Sequence, residues 1–288
     1  MKVKTVAIIG LGLIGGSLAL ALKANTGVTV LGYDEAVETL AAAKAAGAID
    51  RGLGGPDEVG EADVVIFSLP VGRIAAAAQA AAGGLKAGAI VTDVGSAKRG
   101  LQLSLPKLLP PTVRYVGGHP MAGAEKSGFA AARGDLFAGR PYILTGDGDD
   151  DATDEALNAL IGLVRAIGAQ PLVMDSELHD TLVARISHVP HVAAAVLARM
   201  AGDSDQGELA LTLAANGFRD MTRIASSNPM LWSDICLGNR ENVAAALLRL
   251  RAEVDGFLTL LSAGDRAGLE GFFAEAKRVR DRLSEKAG

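Results

Sequence analysis

A chain of 288 residues with 28 basic and 33 acidic side chains carries a formal charge of −5. It has no tract of five or more basic residues, which argues against a phosphate backbone or an acidic membrane surface as partner and leaves small molecules as the expected ligands. Cys236 is the only cysteine, which excludes an intramolecular disulfide and suits a reducing compartment. At this length two domains are expected. The amino terminus, MKVKTVAIIG, runs into a strand and a glycine turn and is not expected to be a signal peptide. No apolar run is expected to approach the roughly 20 residues of a membrane helix, so the expectation is a cytoplasmic protein.

From Val3 to about Met174, short β-branched runs alternate with alanine-rich helical stretches. The strand candidates are Val6 to Ile9, Val28 to Tyr33, Val64 to Leu69, Ala89 to Asp93, Val113 to Val116, Tyr142 to Leu144 and Leu172 to Met174. The early intervals are long enough for crossover helices, which predicts an α/β fold with a doubly wound, mostly parallel sheet. The acidic stretch Gly146 to Asp154 reads as a loop entering a helix, its carboxylates at the positive helix end. After Asp175 the strands stop. His179 to Met200, Leu209 to Ala225, Pro229 to Leu237, Glu241 to Leu261 and Leu269 to Leu283 carry apolar residues at helical period, with Val243, Leu247, Leu250, Val254, Phe257 and Leu261 forming one stripe. Asn228 before Pro229 is a helix cap with proline at the first helical position. These aromatic-poor helices make a thin core, which predicts burial against a second copy. The division is therefore 1–174 and 175–288.

Gly10, Gly12 and Gly15 form GxGxxG between the first strand and a helical run. In that context the first glycine allows a tight turn, the second lets the backbone approach a pyrophosphate, and the third packs helix on strand. With Leu13 and Ile14 inside the motif, Asp34 at the end of the second strand and Ser68 near the end of the third, these are the cofactor-binding candidates. Asp34 can accept hydrogen bonds from an adenosine ribose. Glu35 follows it; two adjacent carboxylates would repel a 2′-phosphate and no arginine is expected near to hold one, so NAD is favoured over NADP.

His119 lies in GGHPMAGAEKSG, expected just past the carboxyl end of the strand Val113 to Val116, with Pro120 holding it extended. Ser96, in DVGSAK at Asp93 to Lys98, projects toward the same sheet edge; a nucleophilic role is disfavoured because no GxSxG elbow or hydrolytic acid accompanies it. Lys98 is read either as a contact to a cofactor or substrate anion or as an exposed lysine at a helix start. In GFRDMTRIASSNPMLW, Phe218, Met221 and Ile224 mark a buried face, flanked by Arg219 and Arg223 four residues apart. A guanidinium there suits a carboxylate ligand, and a structural lattice of Arg219 and Asp220 is the alternative. ISHVPH contains HxxH, but Pro190 is expected to interrupt the helix and no carboxylate or thiol completes a zinc set, so no metal is expected.

Taken in order, GLGLIGGS, DVGSAK, HPMAGAEKSG and GFRDMTRIASSNPMLW resemble the prephenate and cyclohexadienyl dehydrogenase family of tyrosine biosynthesis, over nearly the whole chain. The resemblance implies an NAD-binding Rossmann domain followed by a helical substrate and dimerisation domain, and oxidative decarboxylation of prephenate, arogenate or both. It implies that His119 accepts the hydroxyl proton, Ser96 positions substrate, Arg223 holds the substrate carboxylate, and Arg219 and Asp220 form a polar network around it. It further places Glu125 at the active-site mouth, and His191 with Asp220 and Trp232 near a subunit interface of a homodimer. Ala124 stands where the family often has threonine, which leaves prephenate versus arogenate open. The alternatives are a β-hydroxyacid type dehydrogenase, disfavoured because the first helix after the junction has His179 and Arg185 but no lysine, and a non-catalytic NAD-sensing dimer, which would need neither His119 nor Arg223.

Overall fold

The computed structural model describes residues 2–123, 126–146, 151–203 and 206–285. The chain opens with β1 (Thr5–Ile9), α1 (Leu13–Asn25), β2 (Thr29–Tyr33), α2 (Val37–Ala45), β3 (Arg51–Gly52), β4 (Val64–Phe67), α3 (Val71–Ala81), β5 (Ile90–Asp93), α4 (Arg99–Leu108) and β6 (Arg114–Tyr115). The six strands form one parallel sheet in the order β3-β2-β1-β4-β5-β6. The direction of winding reverses between β1 and β4, and the crevice beyond their carboxyl ends is where such sheets bind ligands. β1 and β4 are almost wholly apolar because helices cover both faces of the sheet.

β7 (Gly117–Pro120), β8 (Pro141–Thr145) and β9 (Gln170–Val173) make a second sheet, with α5 (Asp151–Ala166) between the last two. β7 and β8 are antiparallel and β8 and β9 parallel, so the domain is mostly rather than wholly parallel. This relocates His119. It was expected in a loop past a strand end, and instead sits inside β7, opposite Ile143. GGHP shows no strand alternation, and its pairing with a segment more than twenty residues further on supplies the hydrogen bonds that make it one. Gly118 is required there, since a Cβ would collide with the carbonyl of Asp93 at the end of β5.

The helical part begins with α6 (Ser176–Val183), whose cap Asp175 accepts a hydrogen bond from the Leu178 amide at 2.7 Å. Pro190 does not interrupt the helix as expected. A π-helical turn at Ala184–His188 precedes it, and α7 (Val189–Gly202) continues with the proline in its first turn, where no intrahelical donor is needed. The run Ser176–Gly202 is thereby long and apolar enough to satisfy the length and composition of a membrane span, contrary to expectation, although it carries buried His179, Asp180, His188 and His191.

The single helix expected over Leu209 to Ala225 is instead α8 (Gly207–Thr212), α9 (Asn216–Thr222) and a 3-10 turn at Arg223–Ser226. Met221, expected in a buried face, is 62% exposed, because short α9 packs on α7 along one side alone. α10 (Pro229–Gly238) starts as expected, with Asn228 Oδ1 accepting from the amides of Met230 and Leu231. Residues 1–240 form one compact unit.

Residues 241–288 form a second unit, in which α11 (Arg240–Ser262) and α12 (Arg266–Glu285) meet at a turn through Gly264. Phe257, Phe272 and Phe273 pack there with ring centroids 5.2 to 5.8 Å apart. Val254, Leu258, Leu261, Val279 and Leu283 of this pair are exposed.

Candidate active site

Gly10 adopts a φ of +95°, which glycine allows without strain, and a Cβ there would strike the carbonyl of Ser68. Gly15 is pressed against the carbonyl of Gly10, as helix-on-strand packing requires. α1 starts after Gly12 with no side-chain cap and no acidic residue in its first turn, so the amides around Leu13 and Ile14 present the positive end of the helix without competition. A cavity of about 520 Å³ runs from Gly10 and Gly12 past Ser68 to Asp34 and Glu35. Asp34 Oδ2 accepts from the Leu11 amide at 2.8 Å and Oδ1 from the Ala36 amide at 3.0 Å, which holds the carboxylate at the mouth of the glycine turn; each oxygen keeps a second lone pair. These residues fit a dinucleotide. One expectation is corrected: an arginine does stand near. Arg73, in the first turn of α3, lines the same cavity and donates to Glu35 Oε1 at 2.6 Å.

A second cavity of about 450 Å³ shares Gly12, Ser68, Leu69 and Pro70 with the first and extends to Ser96 and His119. Its far wall comes from Ser227, Asn228, Leu231 and Trp232. Ser96 and His119 are thus brought together with the glycine turn, from loops and strands far apart in the chain. Arg223 does not line this cavity; it lies in the turn that leads to Ser227 and Asn228. Arg219 is exposed on α9, its Nε donating to the Ala214 carbonyl at 3.1 Å, and Asp220 is exposed beside it. Glu125 lies outside the described residues. His191 stacks on Trp232 with centroids 3.4 Å apart and 14° between planes, which ties α7 to the cavity wall.

His119 is held by partners the sequence did not announce. Its Nδ1 lies 2.8 Å from His179 Nε2, and His179 Nδ1 lies 2.7 Å from Asp180 Oδ1. Asp180 also accepts from the amides of Lys98 (2.8 Å) and Arg99 (3.0 Å), capping the positive end of α4 as a carboxylate. A carboxylate only accepts, so His179 holds a proton on Nδ1; with a single proton on that ring its Nε2 accepts and His119 donates from Nδ1. The chain leaves His119 Nε2 as the lone-pair nitrogen. Burial above all, with the electrostatic opposition of His179, Lys98 and His188 to a charge on this ring, holds the His119 pKa well below the ordinary histidine value, so the imidazole is neutral at physiological pH.

Beneath it lies an ion pair. Lys98 matches neither earlier reading, anion contact or exposed helix start: it is fully buried, pairs with Asp93, and donates to the Gly118 carbonyl at 2.8 Å. Asp93 also accepts from Tyr115 Oη at 2.7 Å and the Gly95 amide at 2.6 Å. Burial lowers the lysine pKa, while Asp93 opposes that shift.

The sequence matches the family model for the prephenate dehydrogenase nucleotide-binding domain over residues 18–173, and the model for the prephenate dehydrogenase dimerization domain over residues 175–275. It is 38% identical over 283 residues to a prephenate dehydrogenase of Bacillus subtilis, covering 97% of this chain and 76% of that protein. A cyclohexadienyl dehydrogenase of Zymomonas mobilis is 35% identical over 281 residues, covering 96% and 95%. Among solved structures, prephenate dehydrogenase from A. aeolicus in complex with hydroxyphenyl propionate and NAD+ superimposes with a TM-score of 0.91 at 32% identity, covering 98% of this chain and 99% of that one. Arogenate dehydrogenase of Synechocystis superimposes with a TM-score of 0.83 at 29% identity, covering 97% and 99%.

Replacing Lys98 by Met would leave Asp93 charged and buried without its cation. The expected cost is about 3–5 kcal/mol of unfolding free energy, measured by chemical denaturation. A loss below about 1 kcal/mol would show that the pair does not hold β5 and β7 together.

Proposed function

The chain belongs to the prephenate dehydrogenase family, and from that premise we propose that it catalyses NAD-dependent oxidative decarboxylation of prephenate, arogenate or both. The observation that carries the chemistry is the hydrogen-bonded chain that fixes His119 Nε2 as a bare acceptor in a cavity continuous with the glycine turn. The substrate is a cyclohexadiene with a ring hydroxyl and, across the ring, a carboxylate. NAD, when bound along Gly10, Gly12, Leu13, Ile14, Gly15, Asp34 and Ser68, supplies the acceptor for the hydride that leaves the hydroxyl-bearing carbon. His119 Nε2 takes the hydroxyl proton as that carbon becomes a carbonyl, and the imidazolium so formed is supported through His179 by Asp180. Loss of CO2 then sends the electron pair of the broken C–C bond through the ring to the carbonyl oxygen, giving a phenolate that takes back the proton held by His119 and becomes a phenol. Ser96 orients the hydroxyl and Arg223 holds a substrate carboxylate, with Arg219 lending positive charge and Glu125 acting at the mouth.

The division of labour proposed is nucleotide binding by 1–174, and substrate holding and dimerisation by 175–288. The protein is proposed to work as a cytoplasmic homodimer. Its exposed Leu209, Leu213, Met221, Met230 and Leu237 on one unit, and Val254, Leu258 and Leu261 on the other, support a second copy as the covering partner. Sedimentation is expected to find a dimer at assay concentration; a fully active monomer would remove that part of the proposal.

His119→Asn is expected to retain NADH binding while turnover with prephenate or arogenate falls by roughly a hundred- to ten-thousandfold, the usual worth of a positioned base. The base works unprotonated and its pKa is lowered, so the acid limb of the turnover profile should fall well below the ordinary histidine value of 6.5. A limb centred at or above that value would assign the proton to another group. Arg223→Lys keeps the charge but loses the two-pronged contact with a carboxylate, so KM for substrate should rise at least tenfold while NADH affinity holds. An unchanged KM would make Arg223 structural.

A further inference from the structure

The nucleotide cavity holds a charge arrangement that the glycine motif does not require. Glu35 follows Asp34 at the end of β2, and Arg73 reaches it from the first turn of α3, across the edge of the cavity. The two are 38 residues apart in sequence, so they meet only because β2 and β4 flank β1 in the sheet. Both side chains are open to water, at 67% and 56% exposure. An ion pair so exposed adds little to stability, so its role at the cavity must be sought in what it does to a ligand.

A ribose bearing a free 2′-hydroxyl needs an acceptor, which Asp34 provides. A 2′-phosphate needs a cation, and the guanidinium of Arg73 is the group within the cavity suited to grip it with two parallel hydrogen bonds. While Glu35 holds Arg73, that cation is neutralised and a second carboxylate stands beside Asp34 in the cavity. We propose that Glu35 and Arg73 form a cofactor-discriminating latch, in which Glu35 excludes a 2′-phosphorylated dinucleotide chiefly by occupying the arginine that would otherwise bind it. Discrimination beyond that of the Asp34 carboxylate is then a property of the pair, and a change in Glu35 weakens the exclusion by freeing Arg73.

The proposal rests on the nucleotide reading above and deepens it. Its test reads binding rather than turnover: fluorescence titration of NADH and NADPH with the unaltered protein, Glu35→Ala, Arg73→Ala and the double variant, after thermal melts that check folding. The unaltered protein should prefer NADH. Glu35→Ala should raise the ratio of NADPH to NADH affinity by about tenfold or more, the scale of one charge-assisted contact to phosphate. Adding Arg73→Ala should remove that gain, and Arg73→Ala alone should produce none. If the double variant keeps the gain, repulsion by Glu35 alone discriminates and the latch is overturned. Equal affinity of the unaltered protein for the two nucleotides, or no gain in Glu35→Ala, overturns it as well. Failure of the unaltered protein to bind either nucleotide would instead bring down the dinucleotide reading, and the latch with it.

Discussion

The pairing of Lys98 with Asp93, both with no exposed surface, is the contact on which the arrangement of the site depends. Two charges taken out of water at the end of a parallel sheet cost several kcal/mol each unless their remaining bonding capacity is filled. Here it is filled by groups that matter: the lysine also holds the carbonyl of Gly118, one residue before His119, and the aspartate also holds Tyr115 and Gly95, one residue before Ser96. Strand β7 leaves the parallel sheet to join another, yet this ion pair keeps its polar end at the carboxyl edge of β5. The two residues proposed to face the substrate hydroxyl are therefore set by one buried electrostatic knot.

The same segment couples the sheet to the helices that follow. Asp180 caps α4 through the amides of Lys98 and Arg99, while its neighbour His179 turns toward His119, so one short stretch of α6 both closes a helix end and sets a tautomer. Asn239 Nδ2 donates to the Asp180 carbonyl at 2.7 Å and brings the end of α10 to the same place. Preorganisation of this kind removes the reorganisation a mobile base would need during proton transfer, and it explains why a cavity wall drawn from α10 can face a strand of the second sheet.

At the opposite end of the nucleotide cavity the polar groups are exposed rather than buried. Charges there are screened and exchangeable, so they add little to folding and remain free to differ between ligands that vary by one phosphate. The buried knot confers geometry, because only in the low-dielectric interior does a hydrogen bond resist competition from water; selectivity is the role proposed for the exposed rim.

Local sequence determined the features whose cause is local. GxGxxG after an apolar strand dictates the turn at Gly10 and the uncapped start of α1, Asn228 with Pro229 dictates a helix start, and the run of helices after Asp175 follows from apolar period. Tertiary structure alone decided which polar groups meet. Lys98 reads as an anion contact or as an exposed lysine at a helix start because nothing in the neighbouring sequence requires its burial; its aspartate is five residues away, but its carbonyl partner is Gly118 in β7. His119 and His179 are 60 residues apart, Lys98 and Asp180 are 82 apart, and Arg73 reaches Glu35 across 38. β7 itself exists only because β8 pairs with it. Periodicity records which face of an element is apolar, whereas the partner of a buried charge is chosen by the order in which strands lie in the sheet, and that order is written in no single window of the chain.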